Sequence, residues 1–255
     1  MLTRAKTRSE IKSMRIAGQM LAQVLQLLVE KAEVGMSTKA LAEIAAREVN
    51  ALGGRPSFLG YQGFPDVVCI SINDEVVHGI PSHKRLINDG DIVSLDFGVT
   101  YNGMVTDAAR SIIVGRPKQR RHIELVERTQ QALFAGITAV QDGIRTGDIG
   151  YAVQKVLDKY EYGIVRDLVG HGVGHNLHED PNIPNYGRAH TGPWLSKNMT
   201  IAIEPMSTLG GDAVRLAKDK WTVLTVDGSW SAHFEHTVLI TDEGSEILTE
   251  YSKKD

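Results

Sequence analysis

Apolar residues near the amino end recur at helical spacing. Ile11, Met14, Ala17, Leu21, Val24, Leu25 and Leu28 share one face of a 3.6-residue period, which predicts a long amphipathic helix stopped at Val34-Gly35. Ser37 or Thr38 can then cap a second helix carrying Leu41, Ile44, Ala45 and Val49, closed by Gly53-Gly54. The same order returns further on. A helical pattern over 123–140 ends at Asp142-Gly143, and Thr146, 108 positions after Thr38, is placed to cap a helix carrying Ile149, Val153 and Leu157. Strand patterns follow each helix pair, at 66–73 and 91–114, then at 162–170, 199–207 and 233–241. The run Ile92-Val93-Ser94-Leu95-Asp96 aligns with Thr200-Ile201-Ala202-Ile203-Glu204, again 108 positions apart, and each half has a His-x-x-Pro, His78 to Pro81 and His178 to Pro181. We read an α+β fold of two halves, about 8–115 and 119–250, related by a pseudo-twofold and sharing a sheet-lined cleft within one domain, 1–255. Chance recurrence of short helical patterns is the alternative. The basic run 116–121 marks the junction.

Chemistry enters through acids placed where apolar residues belong. Asn102-Gly103 is a strong signal for a two-residue type I′ hairpin turn. With that turn, residues whose numbers sum to 205 face each other across 91–114, so Asp96 opposes Ala109 and Asp107 opposes Gly98. The two aspartates become diagonal neighbours on one face, roughly 7–8 Å apart at the backbone. That face also holds the small residues Ser94, Gly98, Ala109 and Ser111, while Val93, Leu95, Phe97 and Val99 point the other way into a core. Two carboxylates so close need a shared proton, a basic partner or a metal ion between them, unless they are simply exposed strand residues. Glu204 ends the apolar run Ile201-Ala202-Ile203 and precedes Pro205; Glu235 stands beside His236 at the start of another apolar strand. Four acids inside hydrophobic strands are costly to bury alone, and divalent cations explain them together. A nitrogen ligand is available in Gly170-His171-Gly172-Val173-Gly174-His175-Asn176-Leu177-His178-Glu179, whose glycines suit the lining of a site better than a helix. Spacing alone does not select among these histidines, and a plain glycine loop with solvated histidines is the rival reading.

Composition narrows the classes without naming a function. The 255 residues are 42% hydrophobic and 23% charged, ordinary for a globular chain able to bury its own core. Cys69 is the only cysteine, so no internal disulfide forms, and a reducing, cytoplasmic setting is expected. A net charge of −3 gives no reason to expect specific nucleic-acid binding. No apolar run approaches the ~20 residues of a membrane span, and the polar start, 1–10, does not read as a secretory signal.

Taken together, these segments resemble the type I methionine aminopeptidases of the creatinase/aminopeptidase "pita-bread" fold, from about residue 11 to residue 249. The resemblance rests on Cys69-Ile70-Ser71-Ile72-Asn73, Val77-His78-Gly79-Ile80-Pro81, Gly90-Asp91-Ile92-Val93 running on to Asp96, and Thr106-Asp107. It continues through Gly170 to Gly174, His178-Glu179, Ile203-Glu204-Pro205-Met206, Trp221-Thr222-Val223 and Glu235-His236-Thr237. It implies helices outside a curved antiparallel sheet. It implies that Asp96, Asp107, His171, Glu204 and Glu235 match five ligands of a dinuclear centre, with Asp107 and Glu235 bridging two divalent ions (cobalt, manganese, iron, zinc or nickel). His78 and His178 match non-ligand histidines beside the scissile bond, and Phe58, Tyr61, Phe64, Cys69, Leu177 and Trp221 fall where the family lines its methionine pocket. His175 is expected to be a polar neighbour rather than a ligand.

The implied reaction is metal-dependent removal of the initiator methionine from nascent polypeptides whose second residue is small. Glu204 would move the proton, His178 would stabilise the oxyanion, and His78 would hold the scissile nitrogen. The expected enzyme is a cytoplasmic monomer with no membrane partner. Its run 116–121 is read as a solvated loop, with a transient ribosome contact as the alternative. Two rivals use the same scaffold: an Xaa-Pro aminopeptidase, which usually carries a large amino-terminal domain, and a non-catalytic binding protein, which would have lost ligands.

Overall fold

The helices form where the apolar periodicity places them, and their ends are fixed by particular side chains. The computed structural model describes residues 4–251. Helix α1 (Arg8–Lys31) starts at a capping box, in which Thr7 Oγ1 accepts from the Glu10 amide and Glu10 Oε2 accepts from the Thr7 amide. Helix α2 (Thr38–Ala51) is capped by Ser37, whose hydroxyl accepts from the Ala40 amide at 3.2 Å. Helix α3 (Arg120–Thr138) begins before residue 123 because its first turn, Arg120-Arg121-His122, carries no apolar signal. Helix α4 (Thr146–Leu157) corrects the expected cap. Arg145 is the N-cap, and Asp148 Oδ2 reaches back to its amide at 3.0 Å, so Thr146 is the first helical residue.

The first half contributes β1 (Arg55–Pro56), β2 (Cys69–Ile72), β3 (Glu75–Val77), β4 (Asp91–Tyr101) and β5 (Met104–Val114). The second contributes β6 (Gly163–Ile164), β7 (Gly170–Gly172), β8 (Glu179–Ile183), β9 (Thr200–Ile203) and β10 (Met206–Thr208). It continues with β11 (Val214–Leu216), β12 (Val223–Thr225), β13 (Ser231–His233), β14 (His236–Thr241) and β15 (Gly244–Ile247). The β4–β5 hairpin has the register the turn dictates: Asp96 pairs with Ala109 and Gly98 with Asp107. Asn102 (φ 48°) and Gly103 (φ 75°) are both left-handed, as type I′ requires. Three expected strands divide. The 199–207 run breaks at Glu204-Pro205 into β9 and β10, the 233–241 run breaks at Phe234-Glu235, and the 162–170 run splits into β6 and β7.

Strand pairing is antiparallel in every ladder: β1-β4-β2 with β5 on β4, β15-β14-β9-β7-β8, β13-β10-β6, and β11-β12-β3. The halves are sewn together along β5. Glu235 N donates to Ala109 O at 2.9 Å, and Thr237 Oγ1 both accepts from Asp107 N and donates to Asp107 O. Each half keeps its own apolar core against its own helices. Leu21, Leu28, Leu41, Leu95 and Phe97 pack in the first; Leu133, Ile149, Val153, Ile201 and Val238 pack in the second. Smaller clusters join the halves directly: Ile11 and Met14 pack with Leu239 and Leu248, and Val76 and Val77 with Val165, Met206 and Val223, where β3 pairs with β12.

Candidate active site

Five acid and imidazole side chains converge in the cleft from both halves. Asp96 and Asp107 stand on the continuous β4–β5 hairpin, and an added Cβ at Gly98 would lie 2.8 Å from the Phe58 ring, so that position on their face must be bare. Glu204 occupies the break after β9, where Asn185 Nδ2 holds its carbonyl at 3.0 Å. Glu235 occupies the break before β14, its backbone bridged to Ala109. His171 lies in β7 with Nδ1 at 2.9 Å from the Gly172 carbonyl, which leaves Nε2 for the acids. Asp107, His171 and Glu235 each offer an atom within 4.8 Å of the others, and Glu204 Oε1 lies 3.5 Å from His171 Nε2.

Burial sets the electrostatics. It raises the Asp96 carboxyl to about 7; Asp107, Glu204 and Glu235 are pushed well above the usual range by burial first and by mutual repulsion second. The His171 ring, also desolvated, is lowered to about 3 and stays neutral. Among the described residues, Asp96 Oδ1, Asp107 Oδ1 and Glu235 Oε1 are buried with no hydrogen-bond partner. Orphaned buried oxygens of this kind call for an unseen partner. Four carboxylates and one neutral imidazole form a mixed oxygen and nitrogen donor set suited to divalent transition ions. The donor set and the orphaned oxygens therefore fit metal ligation.

Against this polar floor stands an apolar wall. Phe58 meets Phe64 edge-on at 6.4 Å, and Phe64 meets Trp221 edge-on at 5.1 Å. Cys69 is buried, and desolvation with the nearby acids pushes its thiol well up, so it lines the wall as a protonated, unreactive group. Tyr61 Oη lies 2.8 Å from His178 Nδ1, and the His178 ring stacks obliquely on His171 at 4.2 Å between centroids. The His78 ring is lowered to about 4 by burial and then by His178. A cavity of about 290 Å³ is lined by all thirteen residues singled out from the sequence, and the structure adds Gln62.

Two further features escaped the sequence reading. His233, at the end of β13, is 2% exposed and directs Nε2 to within 3.7 Å of Glu204 Oε2. Behind the glycine loop, the buried Lys6 ammonium pairs with Glu179 at 3.1 Å, while Glu179 Oε1 accepts from the His175 and Asn176 amides. That pair ties the amino-terminal segment to the loop carrying Leu177 and His178. Its partners lie 173 positions apart, so no local pattern announces it. His175 turns away from the acids to Glu10, at 2.7 Å.

Residues 12–242 match metallopeptidase family M24, and the chain belongs to that family. Its relatives within the family are more specific. It is 43% identical to methionine aminopeptidase 1 of Bacillus subtilis over 96% of this chain and 98% of that one. It is 40% identical to the methionine aminopeptidase of Escherichia coli over 96% and 92%. The crystal structure of the methionine aminopeptidase of Thermotoga maritima superposes with a TM-score of 0.96, at 43% identity, covering 98% of this chain and 100% of that one. The prolidase of Pyrococcus furiosus shares the fold at a TM-score of 0.78 and 25% identity, but the match covers only 66% of its chain. The pita-bread architecture is thus common to both groups, and full-length correspondence holds with the methionine aminopeptidases.

Proposed function

We propose that this enzyme hydrolyses the bond after an amino-terminal methionine when the second residue is small. One observation carries the reading: an aromatic-walled cavity opens directly onto a buried acid and imidazole floor that fits metal. Asp96, Asp107, His171, Glu204 and Glu235 would hold two divalent ions, with Asp107 and Glu235 shared between them. Such ions, when bound, lower the pKa of water so that hydroxide is available near neutral pH.

The remaining steps fall to the chain's own side chains. Phe58, Phe64, Leu177 and Trp221 surround the unbranched methionine side chain, whose sulfur gains from aromatic contact. The free α-amino group would bind near Asp96, at the acid end of the cavity, which restricts the reaction to chain ends. In the tautomer in which His178 Nδ1 accepts from the Tyr61 hydroxyl, 2.8 Å away, Nε2–H is left to donate to the scissile carbonyl and to the oxyanion that develops there. His78, neutral through burial, holds the scissile nitrogen. Glu204 accepts the proton of the attacking water and passes it to the leaving amine.

We further propose that the natural substrates are nascent polypeptides and that the enzyme works as a cytoplasmic monomer. In the run 116–121, Lys118 pairs with Asp91, Arg120 with Glu124, and Arg121 donates to Leu209 O, which supports a solvated junction. Cosedimentation with ribosomes at low salt tests the alternative of a transient ribosome contact. The activity itself is tested by stripping the protein of metal, reloading it with Mn²⁺ or Co²⁺, and offering Met-Ala-Ser and Ala-Pro-Ala. Methionine released from the first alone, and only after reloading, is the expected result. Cleavage of Ala-Pro-Ala, or no release of methionine, contradicts the proposal.

A further inference from the structure

The orphaned oxygens of Asp96, Asp107 and Glu235 are explained by metal ligation, but two more orphaned atoms beside them are not. Both ring nitrogens of His233 are buried without a hydrogen-bond partner among the described residues. Leaving two polar atoms so placed is costly. The backbone beneath the ring is firmly held. Ser111 Oγ accepts from the His233 amide and donates to the His233 carbonyl, both at 2.8 Å, and His233 pairs with Met206 across the β10–β13 ladder. The ring is therefore delivered to a fixed place, next to the break that carries Glu204.

Glu204 lies between two imidazoles from different elements. Its Oε1 is 3.5 Å from His171 Nε2 and its Oε2 is 3.7 Å from His233 Nε2. His171 is accounted for as a ligand, whereas His233 is absent from the cavity lining and lies behind Glu204, with the cavity-lining His78 as a further titratable neighbour. A movement of under about 1 Å in the glutamate side chain brings Oε2 to hydrogen-bond distance. Resting on the aminopeptidase reading above, we propose that His233 is a positioning residue that donates Nε2–H to Glu204 Oε2. This fixes the carboxylate plane and reserves Oε1 for the ion and the transferred proton. A donor behind a liganding carboxylate sets both its orientation and its basicity.

Three variants test this, with metal binding as a readout independent of catalysis. His233→Leu and His233→Met remove the donor with two different side-chain shapes, and His233→Gln retains an N–H at similar reach. Metal-stripped protein is titrated with Mn²⁺ by calorimetry, and kcat and KM are measured on Met-Ala-Ser. The leucine and methionine variants should lose roughly 10–100-fold in affinity for at least one ion and in kcat. Their peptide KM should be unchanged and the metal-free Tm not lowered, and His233→Gln should recover most of the loss. Wild-type metal affinity in the leucine or methionine variant, or a glutamine variant as impaired as leucine, overturns the proposal. Wild-type protein that binds Mn²⁺ but releases no methionine overturns the aminopeptidase reading instead, while the calorimetric comparison still decides the role of His233.

Discussion

Asp96 and Asp107 stand on an unbroken hairpin, whereas Glu204 and Glu235 stand where their strands stop. In the first half, regularity does the placing: an eleven-residue ladder from Asp91–Val114 to Tyr101–Met104 keeps both aspartates on one face. In the second half, irregularity does it. Pro205 cannot donate to a ladder, so pairing lapses beside Glu204, and Glu235 sits in the gap between β13 and β14. The first pair of carboxylates thus depends on one turn. The second pair depends on hydrogen bonds made at the breaks, Asn185 to Glu204 O and Ala109 to Glu235, and on neighbours brought from elsewhere in the chain.

The most severe test of this contrast removes from each half the carboxylate proposed to be shared between the ions. Asp107→Asn and Glu235→Gln should each lower kcat/KM by more than the ~10–100-fold typical of outer-shell changes, with loss of bound metal. Near-equal losses, measured with metal analysis alongside kinetics, would show that the two modes of delivery end in equivalent roles. Next in size is Lys6→Met, which breaks the buried ion pair between Lys6 and Glu179 and should cost about 3–5 kcal/mol in urea unfolding. The double variant Lys6→Met/Glu179→Met should recover part of that cost. Gly103→Ala is smaller: a side chain at φ 75° costs about 1–2 kcal/mol, with kcat per folded molecule unchanged, because the turn sets register without touching the cleft.

A further effect concerns pH, and the two kinds of group pull in opposite directions. Buried His78 and His236 (about 4) with His171 and His233 (about 3) stay neutral while the unfolded chain takes up protons below about pH 6.5. They therefore make stability rise with pH in that range, offsetting the acids. Above about 6.5 the imidazoles become neutral in both states, and the raised carboxyls dominate, Asp96 at about 7 among them. The folded, metal-free chain then holds protons that the unfolded chain has lost, so stability falls as pH rises. Scanning calorimetry should show the metal-free Tm declining between pH 6.5 and 8, by about 2–4 °C per kcal/mol for a chain of this size. The metal-loaded protein should show no such decline, because ligation requires the ionised carboxylates.

The same contrast explains what could be read from the sequence. Asn102-Gly103 and strict alternation along 91–114 specify a register, so the Asp96–Asp107 face was legible before any coordinates. Glu204 and Glu235 already stood at the ends of apolar runs, but the lapse of pairing there was not legible, because 199–207 and 233–241 each read as one strand when the local signal is hydrophobicity alone. The cap at Arg145 was missed because the deciding atom belongs to Asp148, three residues inside the helix. His233 and the Lys6–Glu179 pair had no local signal at all. Their meaning comes from contacts made only when distant segments meet, and a histidine in an apolar strand reads as core until Glu204 is found beside it.

The central claim is that both halves hold one dinuclear centre at the foot of the methionine cavity. Anomalous diffraction from crystals loaded with Mn²⁺ tests it most directly. Two manganese peaks are predicted, with Asp96, Asp107, His171, Glu204 and Glu235 as the residues that hold them. A single peak, or ions bound away from these five residues, would contradict it.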